Sequence, residues 1–427
     1  MSLAMWIGIG LFVLVYIIIS TDLINKTVVA LLGASLFIFA GLIKPENVYG
    51  FIDWNVVFLL VSMMVIVNIT RKTGIFQYIA IKTAKLAKGE PIAILILMAM
   101  ITCTISAFLD NVTTVLIIMP VLILIAVELG TSPIPFIITG AIASNVGGTA
   151  TLIGDPPNIM IGSAANLDFI SFVVNLGPLV LILMAVLALV YYLMYRKELV
   201  VSNERKAKIM DFDESKSITD KKLLVKCLTV LGLVIFGFLF HGLLKIDAAL
   251  IALAGASVLM LLAGSHEVDE FIRDVEWGTI FFFVGLFILV GGLVDLGIMK
   301  VLAAKILALT DGNIMTTSLL LIWVSGFLSA VIDNIPYVAT MIPLIQDMGT
   351  TLGQAQIEPL WWSLAIGACI GGNGTLVGAS ANVVSVGLAN KSGYKISFWD
   401  FTKVGSFITL ITLVISTAYV YIRYFVF

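Results

Sequence analysis

The sequence predicts an all-α polytopic membrane protein made of two inverted-topology repeats, with about 10 transmembrane helices, two re-entrant hairpins and two broken helices. Composition is the first reason: 60 % of the 427 residues are hydrophobic, 12 % are charged, and the mean hydropathy is +1.13. So little polar surface cannot cover a soluble globule. Apolar runs of roughly 20 residues, enough to cross a bilayer, recur along the whole chain.

An internal repeat is the second reason. The string SAFLDN at 106–111 returns 223 positions later as SAVIDN at 329–334, and GGTATLIGDPPN at 147–158 aligns with GGNGTLVGASAN at 371–382 at an offset of 224. Generic apolar sequences agree by chance in Leu, Ile and Val, whereas these matches fall on Asp, Asn, Gly and Thr. Further matches at the offset of 223 pair Asp53-Trp54 with Glu276-Trp277 and Pro120 with Pro343.

The first repeat is predicted to occupy residues 1–195. Its segment 91–129 is apolar but interrupted by Asp110-Asn111, so neither arm suits a full span and a re-entrant hairpin fits better. A broken helix is expected at 134–166, because glycines and prolines cluster in its middle. The other elements are a basic interfacial arm at 73–88 and retained spans at about 3–20, 26–43, 55–70 and 172–195.

A charged linker at 196–225 separates this repeat from the second one, which covers 226–427. The second repeat follows the same order. Its hairpin is predicted at 313–349, its broken helix at 360–389, and its spans at about 226–243, 247–264, 279–294 and 404–424.

Five crossings and one hairpin per half is an odd number, so the second copy should enter the membrane with the opposite orientation. The distribution of basic residues tests this expectation. With the N-terminus outside, 19 of the 24 Lys and Arg residues fall on the inside, and the exceptions are Lys44, Lys245, Lys300, Lys305 and Arg423. We expect a cell (inner) membrane protein with both termini outside and a cytoplasmic linker.

The predicted hairpin tips and helix breaks meet near the membrane midplane, where they would surround one cavity for ions and substrate. Hard oxygen ligands of this kind suit sodium or a proton-carrying carboxylate, with sodium expected at Asp110 and Asp333. The charge is asymmetric, because Ala379 stands opposite Asp155 in the repeat. The predicted binding residues are Asp110, Asn111, Asn145, Thr149, Thr151, Asp155 and Asn158 from the first half and Asp333, Asn334, Asn373, Thr375 and Asn382 from the second.

Structural roles for the same residues stay open at this point. An Asp-Asn pair at a hairpin tip can serve as a turn and helix cap, and Asp155 before two prolines is well placed to cap a helix. Cys103 and Cys369 lie near the first hairpin tip and the second broken helix, where a thiol can meet a soft metalloid. Buried cysteines are more commonly small apolar packing residues.

Three segments resemble a known family: SAFLDNVTTVLIIMP at 106–120, ASNVGGTATLIGDPPNIM at 143–160 and SAVIDNIPYVATMIP at 329–343. They are similar to the ArsB/NhaD branch of the ion transporter superfamily, which includes arsenite-efflux permeases and melanosomal P protein-like transporters. The resemblance covers essentially the whole chain. It implies a scaffold and a transport bundle, a homodimer, and transport by an elevator-like motion of the hairpins and broken helices.

The leading functional hypothesis is proton- or sodium-coupled efflux of arsenite, antimonite or a related small inorganic solute. A sodium/proton antiporter of the NhaD type is the alternative, and an anion channel is a second alternative that lacks the expected Lys or Arg ring. No nucleophile–base set predicts an enzyme, and no cofactor is expected beyond the coupling ion. The expected partners are the inorganic ion, the lipid bilayer and a second copy of the chain. A Walker-type loop is missing, so ATP coupling would need a separate ATPase subunit, and no nucleic-acid partner is expected.

Overall fold

The computed structural model describes residues 2–21, 24–264 and 267–426, and all regular elements in these ranges are helical. The first half contains α1 (Leu3–Thr21), α2 (Lys26–Phe39), α3 (Trp54–Lys72), α4 (Ile75–Leu86), α5 (Pro91–Ser106), α6 (Asn111–Leu129), α7 (Ile134–Gly148), α8 (Pro156–Ala165) and α9 (Phe169–Tyr195). After α10 (Asn203–Met210), the second half contains α11 (Lys221–Leu244), α12 (Ala248–Gly264), α13 (Val268–Arg273), α14 (Trp277–Asp295), α15 (Ile298–Leu309), α16 (Ile314–Val331), α17 (Asn334–Leu352), α18 (Glu358–Gly371), α19 (Ser380–Lys391) and α20 (Phe398–Tyr421).

Helix length and composition confirm the all-α membrane class. Within the described residues, eight helices are long and apolar enough to cross a bilayer. Four shorter apolar helices, α2, α5, α7 and α12, accompany them. Large apolar side chains such as Phe39 and Leu181 are exposed along these helices, as expected for surfaces that face lipid.

The two repeats are inverted, as the odd number of membrane crossings in each half predicted. Helices α3 and α14 are repeat counterparts, and they run antiparallel. Phe51, just before α3, packs on Gly291 near the end of α14, where a Cβ atom would lie 2.2 Å from the phenyl ring. At the opposite end, the Asn68 side-chain amide near the end of α3 donates a hydrogen bond of 2.8 Å to the carbonyl oxygen of Asp274, just before α14.

The second and third helices of the two halves pack across each other, α2 on α14 and α3 on α12. Gly285 lets α14 approach α2 closely, since a Cβ there would lie 2.8 Å from the carbonyl carbon of Ala30. We call α1, α2, α3, α11, α12 and α14 the scaffold. The hairpins α5–α6 and α16–α17, the broken helices α7–α8 and α18–α19, and helices α9 and α20 form what we call the hairpin unit.

The hairpin tips reach the level of the helix breaks. The Thr151 hydroxyl at the first break donates to the carbonyl oxygen of Ala107 in the first tip, and Thr375 bonds Ala330 in the same way in the second half. One part of the sequence argument was wrong: α6 has 19 residues and α16 has 18, so each has an arm long enough for a span. The position of the tips, rather than short arms, makes these segments re-entrant.

The charged linker folds onto the first half. Lys206 on α10 pairs with Glu90 at 2.6 Å, and Lys85 on α4 pairs with Glu214 at 2.7 Å. The sequence predicted no folded structure in this linker, because it lacks an apolar stripe and its contacts are ion pairs between segments that are distant in sequence. The exact extent of each repeat stays a prediction.

Candidate functional site

Each hairpin tip places an aspartate at the start of its second helix. The Asp110 carboxylate accepts a hydrogen bond of 2.9 Å from the backbone N–H of Thr113, and Asp333 accepts one of 3.1 Å from Ile335. Both residues are therefore helix caps, as the alternative reading allowed. Capping occupies one carboxylate oxygen in each case, and the other oxygen remains available for a further partner.

Each helix break is closed by an asparagine. The Asn158 amide group donates to the carbonyl oxygens of Gly148, Thr149 and Thr151 at 3.1, 3.3 and 2.9 Å. In the second half Asn382 bonds the carbonyls of Gly372 and Thr375 at 2.8 and 3.0 Å. Backbone carbonyls freed at a helix break need such partners inside a membrane. The two asparagines thus stabilise the breaks and keep their side-chain oxygens free to face the other half.

These side-chain oxygens are contacted across the repeat axis. The Asn145 amide donates to the Asn382 oxygen at 2.9 Å and to the Asn373 oxygen at 2.8 Å. The Cys369 thiol lies 3.6 Å from the Asn158 oxygen. Asn145 and Cys369 are repeat counterparts at the offset of 224, so one position in each half donates to the asparagine of the other. Sequence reasoning missed this equivalence, although the offset contains it.

Two asparagines of the hairpin tips complete the cluster. The Asn111 amide donates to the Asn145 oxygen at 3.0 Å, and the Asn334 amide approaches both oxygens of Asp155 at 3.2 and 3.3 Å. The second contact joins the tip of the second half to the break of the first half. The cluster is therefore assembled from both repeats.

Asp155 does not cap α8. It occupies the N-cap position before Pro156, but its side chain makes no capping hydrogen bond. It is 1 % exposed and belongs to none of the salt bridges between described residues. A buried carboxylate without a basic partner requires a proton or a cation. Of the three aspartates, Asp155 is the one that a purely structural role explains least.

Asp333 has partners that the sequence did not predict. Lys26, the first residue of α2, places its ammonium nitrogen 3.0 Å from one Asp333 oxygen. The Ser380 hydroxyl donates to the same oxygen at 2.6 Å. Asp110, the repeat counterpart of Asp333, belongs to no salt bridge between described residues. The two Asp-Asn tips are equivalent in sequence but not in charge.

The remaining predicted residues have mainly backbone contacts. The Thr149 hydroxyl bonds the carbonyl of Asn145 one turn earlier, while Thr151 and Thr375 hold the hairpin tips. The amide nitrogen of Asn373, Nδ2, is buried and has no hydrogen-bond partner among the described residues. All twelve predicted residues lie in this region. Ten of them are buried, and Asp333 and Thr375 are half-buried at its edge.

The site does not have the ligands of a transition-metal centre. Among the described residues, no three His, Cys, Asp or Glu side chains group together as metal ligands. Cys369 is the thiol within the cluster, while Cys103 contributes its backbone: a Cβ at Gly147 would lie 2.0 Å from the Cys103 carbonyl oxygen. The oxygen and amide groups present suit a hard cation or a proton.

Residues 14–367 match the family model of the citrate transporters, CitMHS. The chain belongs to this family. It is 44 % identical to an uncharacterized transporter of Mycobacterium tuberculosis, over 98 % of this chain and 99 % of the relative. It is 32 % identical to the human P protein, over 96 % of this chain but 59 % of that longer protein. The resemblance drawn from the hairpin and GDPPN motifs is confirmed, since the P protein is among its relatives.

A solved structure supports the fold alone. The YdaH transporter of Alcanivorax borkumensis, described as having an unusual topology, aligns with a TM-score of 0.62, 14 % sequence identity and 98 % coverage of both chains. The family and the relatives in sequence indicate a polytopic membrane transporter rather than an enzyme.

Proposed function

We propose that the chain is an ion-coupled secondary transporter in which Asp155 handles the coupling ion, a proton or sodium. The observation that supports this most directly is the carboxylate itself: it is buried, lies at a helix break, receives the Asn334 amide of the opposite repeat and has no basic partner among the described residues. Holding a charge at such a position costs free energy unless an ion or proton binds there during the cycle.

Movement of the hairpin unit against the scaffold is the mechanism we propose. Among the described residues, polar contacts between the two bodies are few. On one side of the repeat axis, the His241 ring of α11 accepts a hydrogen bond of 3.1 Å from the backbone N–H of Phe169 at the start of α9; the others join α1 and α2 to the second half of the hairpin unit. The Tyr16 hydroxyl of α1 bonds the Pro336 carbonyl and the Thr340 hydroxyl at 2.6 and 2.7 Å, and Lys26 of α2 bonds Asp333. A small number of such contacts can be exchanged as a rigid hairpin unit shifts, whereas the asparagine network inside the unit can stay intact.

Arsenite, antimonite or a related small inorganic solute is the cargo we propose. Arsenite and antimonite are uncharged hydroxides at neutral pH, so they would not be repelled by Asp110 and Asp155. Their hydroxyl groups suit the amide and carbonyl groups at the breaks, and Cys369 is a single thiol rather than a thiolate cage. Free citrate, the substrate in the family's description, carries negative charge that these carboxylates disfavour, so we expect it to need accompanying cations.

A sodium/proton antiporter is the second candidate, and one observation favours it. The central amides of Asn111, Asn145 and Asn382 are bonded to one another, which leaves room for an ion more readily than for a polyatomic solute. Two cavities lie elsewhere and are lined by none of these asparagines. One of about 500 Å³ lies beside α8 near His241, and one of about 710 Å³ lies near Asn175 and Tyr419.

The proposal is tested with purified protein in liposomes, challenged in turn with a sodium gradient, a proton gradient, arsenite and citrate. Arsenite flux that follows an ion gradient supports the leading proposal. A change of internal pH on sodium addition, with no solute flux, supports the antiporter. Voltage-driven flux that ignores both gradients would instead indicate a channel and contradict coupling.

Asp155→Asn is the decisive variant, and we expect it to lower coupled flux to background while the protein remains folded. Asp347→Asn is a matched control, since Asp347 lies on α17 about four helical turns beyond Asp333. Wild-type coupling in Asp155→Asn would refute the assignment of the ion to this carboxylate. Asp110→Asn and Asp333→Asn, measured alongside, show whether the capping aspartates also take part in coupling.

A further inference from the structure

The Lys26 side chain extends from the scaffold into the hairpin unit and occupies a three-part cation position there. Its ammonium nitrogen lies 3.0 Å from an Asp333 oxygen, 2.6 Å from the Ser380 hydroxyl and 5.1 Å from the centre of the Phe282 ring. A carboxylate, a hydroxyl and an aromatic face are all groups that attract cations. Since Ser380 donates its own hydrogen to Asp333, its lone pairs are free to accept from Lys26.

This arrangement exists in one half of the molecule and not in the other. Aligning GAS at 33–35 with GAS at 255–257 gives an offset of 222, which places Ala248 opposite Lys26. Pro156 stands opposite Ser380 at the offset of 224. Asp110 therefore receives no ammonium from Ala248 of the second repeat and no hydroxyl from Pro156 of its own repeat. The bond from the Thr113 backbone is the hydrogen bond that the described structure gives the Asp110 carboxylate.

We propose that Lys26 is a tethered competitor for a cation that binds at Asp333 in addition to the ion handled by Asp155, and that it sets which cation Asp333 accepts and when. This inference rests on the proposed function, because it presumes that a cation drives transport. While Lys26 is paired, the negative charge of Asp333 is compensated by the scaffold and a cation from solution gains little by binding there. Residue 26 is therefore a specificity-determining position for the known transporter class rather than a general surface lysine.

The competition between Lys26 and a cation depends on movement of the hairpin unit against the scaffold. Lys26 belongs to α2 in the scaffold, whereas Asp333 and Ser380 belong to the hairpin unit. When the hairpin unit shifts, the pair separates, and the Asp333 carboxylate then needs a positive charge that only solution can provide. A cation from solution therefore binds at Asp333 in the state in which the Lys26–Asp333 ion pair is broken. The paired state needs no cation at Asp333.

The test compares Lys26→Gln with wild type in liposomes, with flux measured over graded sodium at fixed pH and over graded pH without sodium. Removing the competitor should lower the half-saturating concentration of the driving cation by about tenfold. A tenfold change corresponds to about 1.4 kcal/mol, which lies between the contribution of an exposed ion pair and that of a buried one. Lys26→Arg, which keeps the charge, should remain close to wild type. Lys72→Gln is the matched control, because Lys72 also pairs with an acidic residue and lies over a phenylalanine ring.

A second measurement covers a variant that is folded but inactive. Bound sodium raises the melting temperature of protein in detergent, so the sodium concentration needed for that rise, with choline chloride as reference, reports binding without flux. Lys26→Gln should show this rise in melting temperature at about one tenth of the sodium concentration that wild type needs. Adding Asp333→Asn to Lys26→Gln should abolish this increase in sodium affinity. Equal cation dependence in Lys26→Gln, Lys72→Gln and wild type would overturn the inference. Wild-type protein without any cation dependence would instead refute the proposed function.

Discussion

Replacing Asn382 by alanine tests how much the helix breaks depend on their asparagines. The Asn382 side chain is wholly buried and makes three hydrogen bonds, at 2.8 Å to Gly372, at 3.0 Å to Thr375 and at 2.9 Å from Asn145. Alanine would leave two carbonyls and one amide buried without these partners. Each orphaned group costs roughly 1–3 kcal/mol, so we expect a loss of about 3 kcal/mol or more in the free energy of unfolding.

The assay is thermal unfolding in detergent, followed by flux in liposomes at a temperature where the variant is still folded. Asn390→Ala is the matched control: Asn390 lies on the same helix, is exposed, and accepts a single hydrogen bond of 3.2 Å from Ile396. We expect a large drop in melting temperature and lost flux for Asn382→Ala, and a small effect for Asn390→Ala. Similar melting temperatures for the two variants would refute the reasoning, because the break would then hold without its amide.

Two further predictions concern packing and pH. Gly147→Ala should lower the free energy of unfolding by about 1–3 kcal/mol, because its Cβ would lie 2.0 Å from the Cys103 carbonyl oxygen. Gly232→Ala on α11 is the control, since a Cβ there meets nothing within 4 Å. Equal melting temperatures for the two variants would contradict this prediction. Lys85 lowers the pKa of Glu214 below its ordinary value of 4.5, so this pair stabilises the docked linker above that value and loses its effect as pH falls through the lowered pKa. Limited proteolysis of the linker should therefore accelerate in acid for wild type, and Glu214→Gln should show the faster cleavage already at neutral pH; cleavage rates that do not differ at neutral pH would rule out a role for the pair.

Local signals made the repeat, the tips and the breaks predictable. A charged or amide side chain inside an apolar run is rare, so two matched Asp-Asn pairs were visible without any structure. The cluster of glycine and proline at 147–157 disfavours a continuous helix, and α7 does end at Gly148 while α8 begins at Pro156. These features depend on neighbours in sequence, and sequence reasoning could therefore place them.

The partners of the aspartates were not predictable in the same way. Lys26 stands at the start of a span, where a lysine usually extends to the membrane surface, and only the packing of α2 against α14 brings it to Asp333. The cap role that the sequence left open for Asp155 is not found, for a related reason. Its carboxylate is directed to Asn334, which lies 179 residues away in the chain. Contacts of this length depend on how the two repeats cross, and no local pattern encodes that.

The antiparallel relation of α3 and α14 has an energetic consequence. If the two repeats were identical in sequence, a two-fold rotation about an axis in the membrane plane would convert the state open to one side into the state open to the other, and both would have the same free energy. Every unmatched pair of counterparts removes this degeneracy, and Asp155 with Ala379, Asn145 with Cys369 and Lys26 with Ala248 are such pairs. Under the proposed mechanism such differences bias the side on which the empty carrier rests, so substitutions at these positions should shift the resting population as well as the chemistry.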